Sequence, residues 1–183
     1  EAIQIRIPLW TNASAPVEPQ QFTVEVNGRP ARLVDLKGPE DDLLVLLVLD
    51  LVADLNEIEL AKQALVQELE ELPDHVYVAL LRAQDDLQVL LDPTNDRARL
   101  REAIQAYAIR GAPALLNTVE IVSRLADSIV AKAPVRLAVL YVTDSDIYAY
   151  REDFTNPVIN WSDQRDLSRV FNEGLIRDRI TKL

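Results

Sequence analysis

The chain has 183 residues, of which 49% are hydrophobic and 27% are charged, as is usual for a globular protein of one domain. Its 30 acidic and 19 basic residues give a formal net charge of −11, and such a surface repels nucleic acid and anionic membranes. The absence of cysteine excludes disulfides, thiolate metal sites and thiol catalysis, and no apolar stretch is long enough to suggest a membrane span.

Two short segments near the N-terminus show the alternation of apolar and polar residues that is typical of strands. They are residues 2–9 and residues 21–27. A proline-containing loop separates them, and Asn27-Gly28 predicts a tight turn after the second. We therefore expect residues 1–40 to form a short β lead-in to a larger domain over residues 41–183.

The rest of the chain alternates apolar strand patterns with helical patterns. The predicted strands are Leu43–Asp50, Val76–Ala83, Leu87–Leu91 and Val135–Thr143, and the predicted helices are Leu55–Leu72, Asp96–Ile109, 114–131 and Asp166–Leu183. The third strand is expected to pair antiparallel with the second across Gln84–Asp86. This order predicts an α/β domain, with a doubly wound, mostly parallel sheet and helices on both faces. Because the chain stops on a helix, we expect a closing strand beyond Leu183.

Capping residues locate two of the helix boundaries. Asn95 or Asp96 is expected to cap the helix that ends at Ile109. Gly111 then interrupts the helical pattern, and Pro113 is suited to the first turn of the next helix because proline lacks an N–H.

Most catalytic sites are excluded by residue content. The four glycines form neither a dinucleotide-binding motif nor a P-loop, and no nucleophile elbow is present. His75 is the only histidine, so it cannot form a zinc site alone, and it lies at the amino end of a predicted strand. A catalytic base there would be far from the edge where α/β sheets bind ligands. We interpret His75 as a structural turn residue.

Carboxylates remain as candidate site residues. Asp50 and Asp54 follow the first core strand, and Asp144 and Asp146 follow the last one. Oxygen ligands that converge at this edge would suit Mg²⁺ or Ca²⁺. Alternatively, Asp54 forms a capping box with Glu57, and the aspartates of the last strand belong to an ordinary turn. The residue types alone leave both interpretations open.

The order of these motifs resembles a von Willebrand factor type A domain. An apolar strand ending in Asp, a helix, a strand pair, a Gly-x-x-x-Leu segment that opens a helix, and an apolar strand ending in Thr-Asp follow one another over residues 43–146. The preceding Phe22–Pro30 segment resembles the short β lead-in of bacterial, especially acidobacterial, proteins of this group. The resemblance implies a doubly wound sheet with one antiparallel edge strand.

The resemblance also implies a metal-ion-dependent adhesion site that has lost ligands. The first Asp of the family motif corresponds to Asp50, the two Ser positions to Val52 and Asp54, the Thr position to Pro113, and the last Asp to Asp144. Both carboxylates are present, and all three hydroxyls are absent. In the family the hydroxyls bind the ion directly, so the usual Mg²⁺ site should be lost. Asp54 could still supply one oxygen to an altered, weak Ca²⁺ site.

Two classes of function follow from these observations. The first is a non-catalytic module that binds a protein partner or self-associates without metal gating. Its candidate surface is a long loop with four aromatic residues, Tyr148, Tyr150, Phe154 and Trp161, together with Trp10. Local packing explains these aromatic residues equally well. No nucleic-acid partner, membrane insertion or cofactor is expected, except for Mg²⁺ or Ca²⁺ bound weakly by Asp50, Asp54 and Asp144.

The alternatives use the acidic residues. One is an adhesion domain in which altered ligands hold Mg²⁺ or Ca²⁺, and another is a metal-dependent hydrolase. Asp50-Leu51-Val52 resembles the start of an Asp-x-Asp nucleophile motif, but Val52 replaces the second Asp and no lysine is placed to hold a phosphate. We therefore expect no enzymatic activity. The resemblance and the absence of an initiator Met predict an exported bacterial protein, extracellular or periplasmic. Either its N-terminus was processed or the chain is a piece of a larger protein.

Overall fold

The computed structural model describes residues 5–7, 9, 17–52 and 55–143. By their contacts, the residues divide into two compact units, 1–41 and 42–183. In chain order the elements are a turn of 3-10 helix at Pro19–Gln21, strands β1 (Val24–Val26), β2 (Arg29–Ala31) and β3 (Leu43–Asp50), helix α1 (Leu55–Glu70), strands β4 (Val76–Gln84) and β5 (Asp86–Thr94), helices α2 (Arg97–Gln105) and α3 (Leu115–Lys132), and strand β6 (Arg136–Thr143).

The first unit contains a small antiparallel hairpin of β1 and β2. Its turn is formed by Asn27 and Gly28, whose φ angles are 53° and 72°. Two residues with positive φ are what the favoured two-residue hairpin turn requires, and asparagine and glycine adopt this conformation most readily. The predicted tight turn is therefore confirmed.

The strand predicted for residues 2–9 is wrong for the part of that range that the structure describes. Residues 5–7 and 9 belong to no strand. The side chains of Ile5 and Ile7 are 61% and 69% exposed. Alternation creates an apolar face, but a strand also needs a neighbouring strand to hydrogen-bond with, and none of the described strands pairs with this segment.

The second unit is built on a four-stranded sheet in the order β5-β4-β3-β6. Strand β3 is parallel to β4 and β6, while β5 is antiparallel to β4 at one edge. Helices α1 and α2 cover one face, and α3 covers the other. The predicted doubly wound, mostly parallel α/β sheet with one antiparallel edge strand is confirmed.

The core lies on both sides of the central strand β3. Leu47 and Leu49 pack toward α1 and α2, while Leu46 and Val48 pack toward α3. None of these four side chains is more than 1% exposed. A strand buried on both faces must be apolar at every position, and this explains the unbroken apolar sequence of β3.

Among the core elements, β5 and α2 depart most from their predicted bounds. The β4–β5 hairpin turns on Asp85 alone, whose φ is 55°, and β5 is longer than predicted because it continues to Thr94. Helix α2 ends at Gln105 rather than at Ile109. Its predicted N-cap is confirmed, since the Asp96 carboxylate accepts hydrogen bonds from the N–H groups of the first turn.

Several predicted residues lie outside the described residues. They are Trp10, Asp54, Asp144, Asp146, the aromatic loop and the helix predicted for Asp166–Leu183. Among the helices that the structure does describe, none has the length and apolar character needed to cross a bilayer.

Candidate functional site

Asp50 is the last residue of β3, and its side chain is fully buried at the carboxyl end of the sheet. Its Oδ1 accepts a hydrogen bond from the backbone N–H of Ala114 at 3.2 Å, and its Oδ2 accepts one from the Thr143 hydroxyl at 3.1 Å. Thr143 is the register partner of Asp50 on β6, and Ala114 directly precedes α3. The carboxylate therefore ties the end of β3 to the end of β6 and to the start of α3.

The segment before α3 runs alongside the end of β4, where Pro113 forms an isolated β-bridge with Gln84. The residues beside the proline make the hydrogen bonds. The Ala112 carbonyl accepts from the Asp85 N–H at 2.9 Å, and the Ala114 N–H donates at 3.2 Å to the carbonyl that precedes Gln84. A proline fits here because it has no N–H to satisfy. Pro113 thus belongs to a bridge with β4 and not to the first turn of α3, which begins two residues later.

Gly111 makes the close approach of this segment to β4 sterically possible. Its φ is 95°, and a Cβ at this position would lie 1.8 Å from Oδ2 of Asp85. Asp85 cannot move away without loss, because its Oδ1 accepts the Ala112 N–H at 2.8 Å. Only glycine meets both the backbone and the space requirement.

The residue that follows Asp50 is held by a buried polar network. The Tyr107 hydroxyl accepts the Leu51 N–H and donates to the Leu51 carbonyl, both at 3.2 Å. Gln84 Nε2 donates to the same carbonyl at 2.6 Å and to the Tyr107 hydroxyl at 2.8 Å, while its Oε1 accepts the Arg110 N–H at 2.7 Å. Because buried polar groups are costly unless bonded, this network fixes the chain just after Asp50.

Further hydroxyl groups lie near Asp50 on the α3 face. Thr118 is buried, and its hydroxyl donates to the Ala114 carbonyl at 2.8 Å. The Tyr141 hydroxyl oxygen is also buried and makes no well-formed hydrogen bond to the described residues. Burial raises the pKa of Tyr141 from 10.0 to about 12, with a smaller contribution from the Asp50 charge and an opposing one from nearby Thr118.

The raised pKa of Tyr141 predicts a loss of stability at high pH. A group whose pKa is higher in the folded state stabilises the protein below its unfolded pKa, and this contribution is lost as pH rises through the folded value. Relative to Tyr141→Phe, the wild type should therefore lose stability between pH 10 and about 12. We expect a loss of about 1–2 kcal/mol, less than the full shift implies because the side chain is partly exposed. Urea unfolding of both proteins across this pH range measures the difference.

At neutral pH the same substitution should be neutral or slightly stabilising, since the Tyr141 hydroxyl makes no well-formed hydrogen bond to the part of the chain that the structure describes. Parallel pH profiles of the wild type and Tyr141→Phe would contradict the assigned environment of Tyr141.

Sequence reasoning found Asp50 but missed the groups that bond to it and to Leu51. Thr143 belonged to the Thr-Asp motif but was not assigned a role. Gln84 was detectable as a polar residue at the end of an apolar strand. Tyr107 falls within the predicted helix and is buried in the core, but it follows the end of α2 and its hydroxyl bonds to the backbone of Leu51.

Of the predicted metal ligands, the structure describes Asp50 alone. Val52 and Pro113, at two of the hydroxyl positions, bring no side-chain oxygen to the site. Within the described ranges, no group of three or more His, Asp or Glu side chains is placed to hold a metal ion. The predicted partner-binding residues lie outside the described residues and remain predictions: Tyr148, Tyr150, Phe154 and Trp161.

No protein-family model matches the chain, and no curated protein matches it. Similar solved structures include BatB from Bacteroides thetaiotaomicron, at 15% identity and a TM-score of 0.44, over 59% of this chain and 58% of that chain. The type V pili tip protein Mfa5 from Porphyromonas gingivalis is similar at 13% identity and a TM-score of 0.47, over 75% of this chain and 26% of that chain. The SpRpn10 VWA domain is similar at 12% identity and a TM-score of 0.39, over 76% of this chain and 82% of that chain. The chain spans less than two thirds of the length of BatB and of Mfa5.

Proposed function

We propose that the chain is a non-catalytic protein-interaction or assembly module of the von Willebrand type A kind, which works without metal gating. The observation that carries this proposal is the bonding of Asp50. Its carboxylate is fully buried, and each oxygen accepts a hydrogen bond from a protein donor. A residue that resembles a metal-site carboxylate is used here to join three elements of the fold.

The chemistry of divalent cations supports this role for Asp50. Mg²⁺ needs near-octahedral oxygen coordination and gives up its waters reluctantly. An N–H group points at Oδ1, where a cation would be repelled by the same partial positive charge. Val52 and Pro113 supply no oxygen, and Pro113 is bound to β4 instead. These features favour a structural role for Asp50 over a ligand role.

The residue content supports a binding role over catalysis. The chain has no cysteine, and its one histidine, His75, lies at the amino end of β4. The net charge of −11 favours a neutral or basic protein partner over a polyanion. We place the contact on the aromatic residues that follow β6 in the sequence, because aromatic side chains are enriched at interface hot spots. The exported location predicted from the sequence is part of this proposal.

Self-association provides the first test. The full chain should form oligomers at micromolar concentrations in sedimentation velocity, and Tyr150→Ala or Trp161→Ala should weaken association at least about tenfold if these are hot-spot residues. Tyr77→Ala is the matched control, because Tyr77 is an exposed aromatic residue on β4. The control should associate as the wild type does, and EDTA should leave association unchanged.

Other outcomes favour the alternatives. Association that is lost in EDTA and in Asp144→Ala would support an adhesion domain in which Asp54 and Asp144 hold Mg²⁺ or Ca²⁺. Mn²⁺-dependent hydrolysis of a phosphate ester that is lost in Asp50→Asn would support the hydrolase. A chain that stays monomeric at all concentrations would contradict self-association and leave a different protein as the partner.

A further inference from the structure

The turn between β1 and β2 contains the one Asn-Gly pair of the sequence, Asn27-Gly28. Both residues are exposed. Within the described ranges, no hydrogen bond involves the Asn27 side chain or the Gly28 N–H. A Cβ added to Gly28 would have no heavy atom within 4 Å. The side-chain amide of Asn27 is therefore unrestrained, and the backbone nitrogen that follows it is unhindered.

An amide and a backbone nitrogen in this order can close a ring. The nitrogen of Gly28 attacks Cγ of Asn27, so that an N–Cγ bond forms and the Cγ–Nδ2 bond breaks. The amide nitrogen leaves as ammonia, together with the proton of the Gly28 N–H. Water then opens the resulting imide at either carbonyl carbon and gives aspartate or isoaspartate. The attack is favoured because both groups belong to one chain and glycine has no side chain to obstruct it.

The hairpin around this turn is small enough to open. Strands β1 and β2 pair over three residues each, and no further strand that the structure describes extends the pair. All six strand residues are exposed or half-buried, and Val26 beside the turn is 39% exposed. A two-stranded hairpin is only marginally stable in water, so local opening requires little free energy. Opening frees the turn from its single folded conformation and lets the Gly28 nitrogen reach Cγ.

We infer that Asn27 is a modification site, which deamidates without an enzyme and mainly to isoaspartate, and that isoaspartate disrupts the β1–β2 hairpin. Isoaspartate adds one carbon to the main chain, whereas the two-residue turn requires a defined backbone conformation at both of its residues. The turn sets the register of the two strands, so the pairing is lost with it. The inference concerns residues 1–41 and does not depend on the proposed binding role.

Peptide mass spectrometry of the full chain, incubated in mildly alkaline buffer, tests the site. Asn117 and Asn95 are internal controls. Asn117 is exposed but lies in α3 before Thr118, and Asn95 donates from Nδ2 to the Asp74 carbonyl at 2.9 Å. Asn27 should be converted at least about tenfold faster than either, and Gly28→Ala should slow its conversion by a similar factor. Conversion at Asn27 no faster than at Asn117 would overturn the assignment.

NMR contacts across the hairpin test its disruption. In the fresh protein they should join Val24 to Ala31 and Val26 to Arg29, which are register partners. They should weaken in proportion to the isoaspartate formed. Freshly purified Asn27→Asp has the added charge on an unchanged backbone, so it should keep these contacts, because Asp-Gly also suits the turn. Absence of the contacts before incubation, or their persistence in the isoaspartate form, would overturn this part of the inference.

Discussion

Replacing Asp50 with alanine should lower the free energy of unfolding by about 3 kcal/mol. The substitution removes two hydrogen bonds to a buried carboxylate, each of which contributes about 1.5–3 kcal/mol. Part of this loss is offset because the Ala114 N–H keeps its bond to the Ala83 carbonyl and a buried charge is removed. Urea unfolding of Asp50→Ala and the wild type measures the change.

The sign of this change distinguishes two roles for Asp50. If Asp50 were a metal ligand, its carboxylate would be an uncompensated buried charge in the absence of the ion. Its removal should then stabilise the protein when no metal is present. A carboxylate that joins β3 to β6 and α3 stabilises the fold, so its removal should destabilise it. Thr143→Val serves as a partial control, since it removes the Thr143 hydrogen bond alone and should cost about 1.5 kcal/mol. An increase in stability for Asp50→Ala would contradict the structural role.

Replacing Gly111 with alanine should cost more, about 4 kcal/mol. A positive φ costs a residue with a side chain about 1–3 kcal/mol, and a crowded side chain costs about the same again. The new Cβ would lie 1.8 Å from Oδ2 of Asp85, so the segment that carries Pro113 would have to move away from β4. That movement also displaces Ala114, which bonds to Asp50. Thermal and urea unfolding of Gly111→Ala measure the effect.

A second substitution separates the clash from the backbone strain. Asp85→Gly removes the carboxylate that the new Cβ would meet, and glycine tolerates the positive φ at that position. In the double variant we expect about 2 kcal/mol of the Gly111→Ala loss to be recovered, beyond the sum of the single changes. Additive losses would mean that Gly111 and Asp85 are not in the contact that the structure shows.

The core elements were predictable because each depends on local pattern. An unbroken apolar sequence predicted β3 with its observed bounds, since a strand buried on both faces has no polar position. Asp96 predicted a helix start through its own side chain, which bonds to N–H groups within the next turn. The Asn27-Gly28 turn was predictable for the same reason, because its backbone conformation is set by two residues.

The surroundings of Asp50 were less predictable because they depend on contacts between distant residues. Helix α2 ends early, and the chain then brings Tyr107 to Leu51, which lies 56 positions before it. Pro113 has the residue type of a helix start but is held by a bridge to β4. The family resemblance placed both Asp50 and Pro113 at one site, yet it could not indicate that the Asp50 carboxylate bonds to Ala114 and Thr143.

The most direct test of the role of Asp50 is the melting temperature of the full chain in increasing Mg²⁺, Mn²⁺ and Ca²⁺. An ion that binds only the folded state must stabilise it, by about 2.7 kcal/mol at a hundredfold excess over the dissociation constant. If Asp50 is a structural carboxylate, the melting temperature should not change with any of the three ions, in the wild type or in Asp144→Ala. A saturable rise in the wild type that is absent in Asp144→Ala would contradict this role and show that the acidic residues at this edge still bind a metal ion.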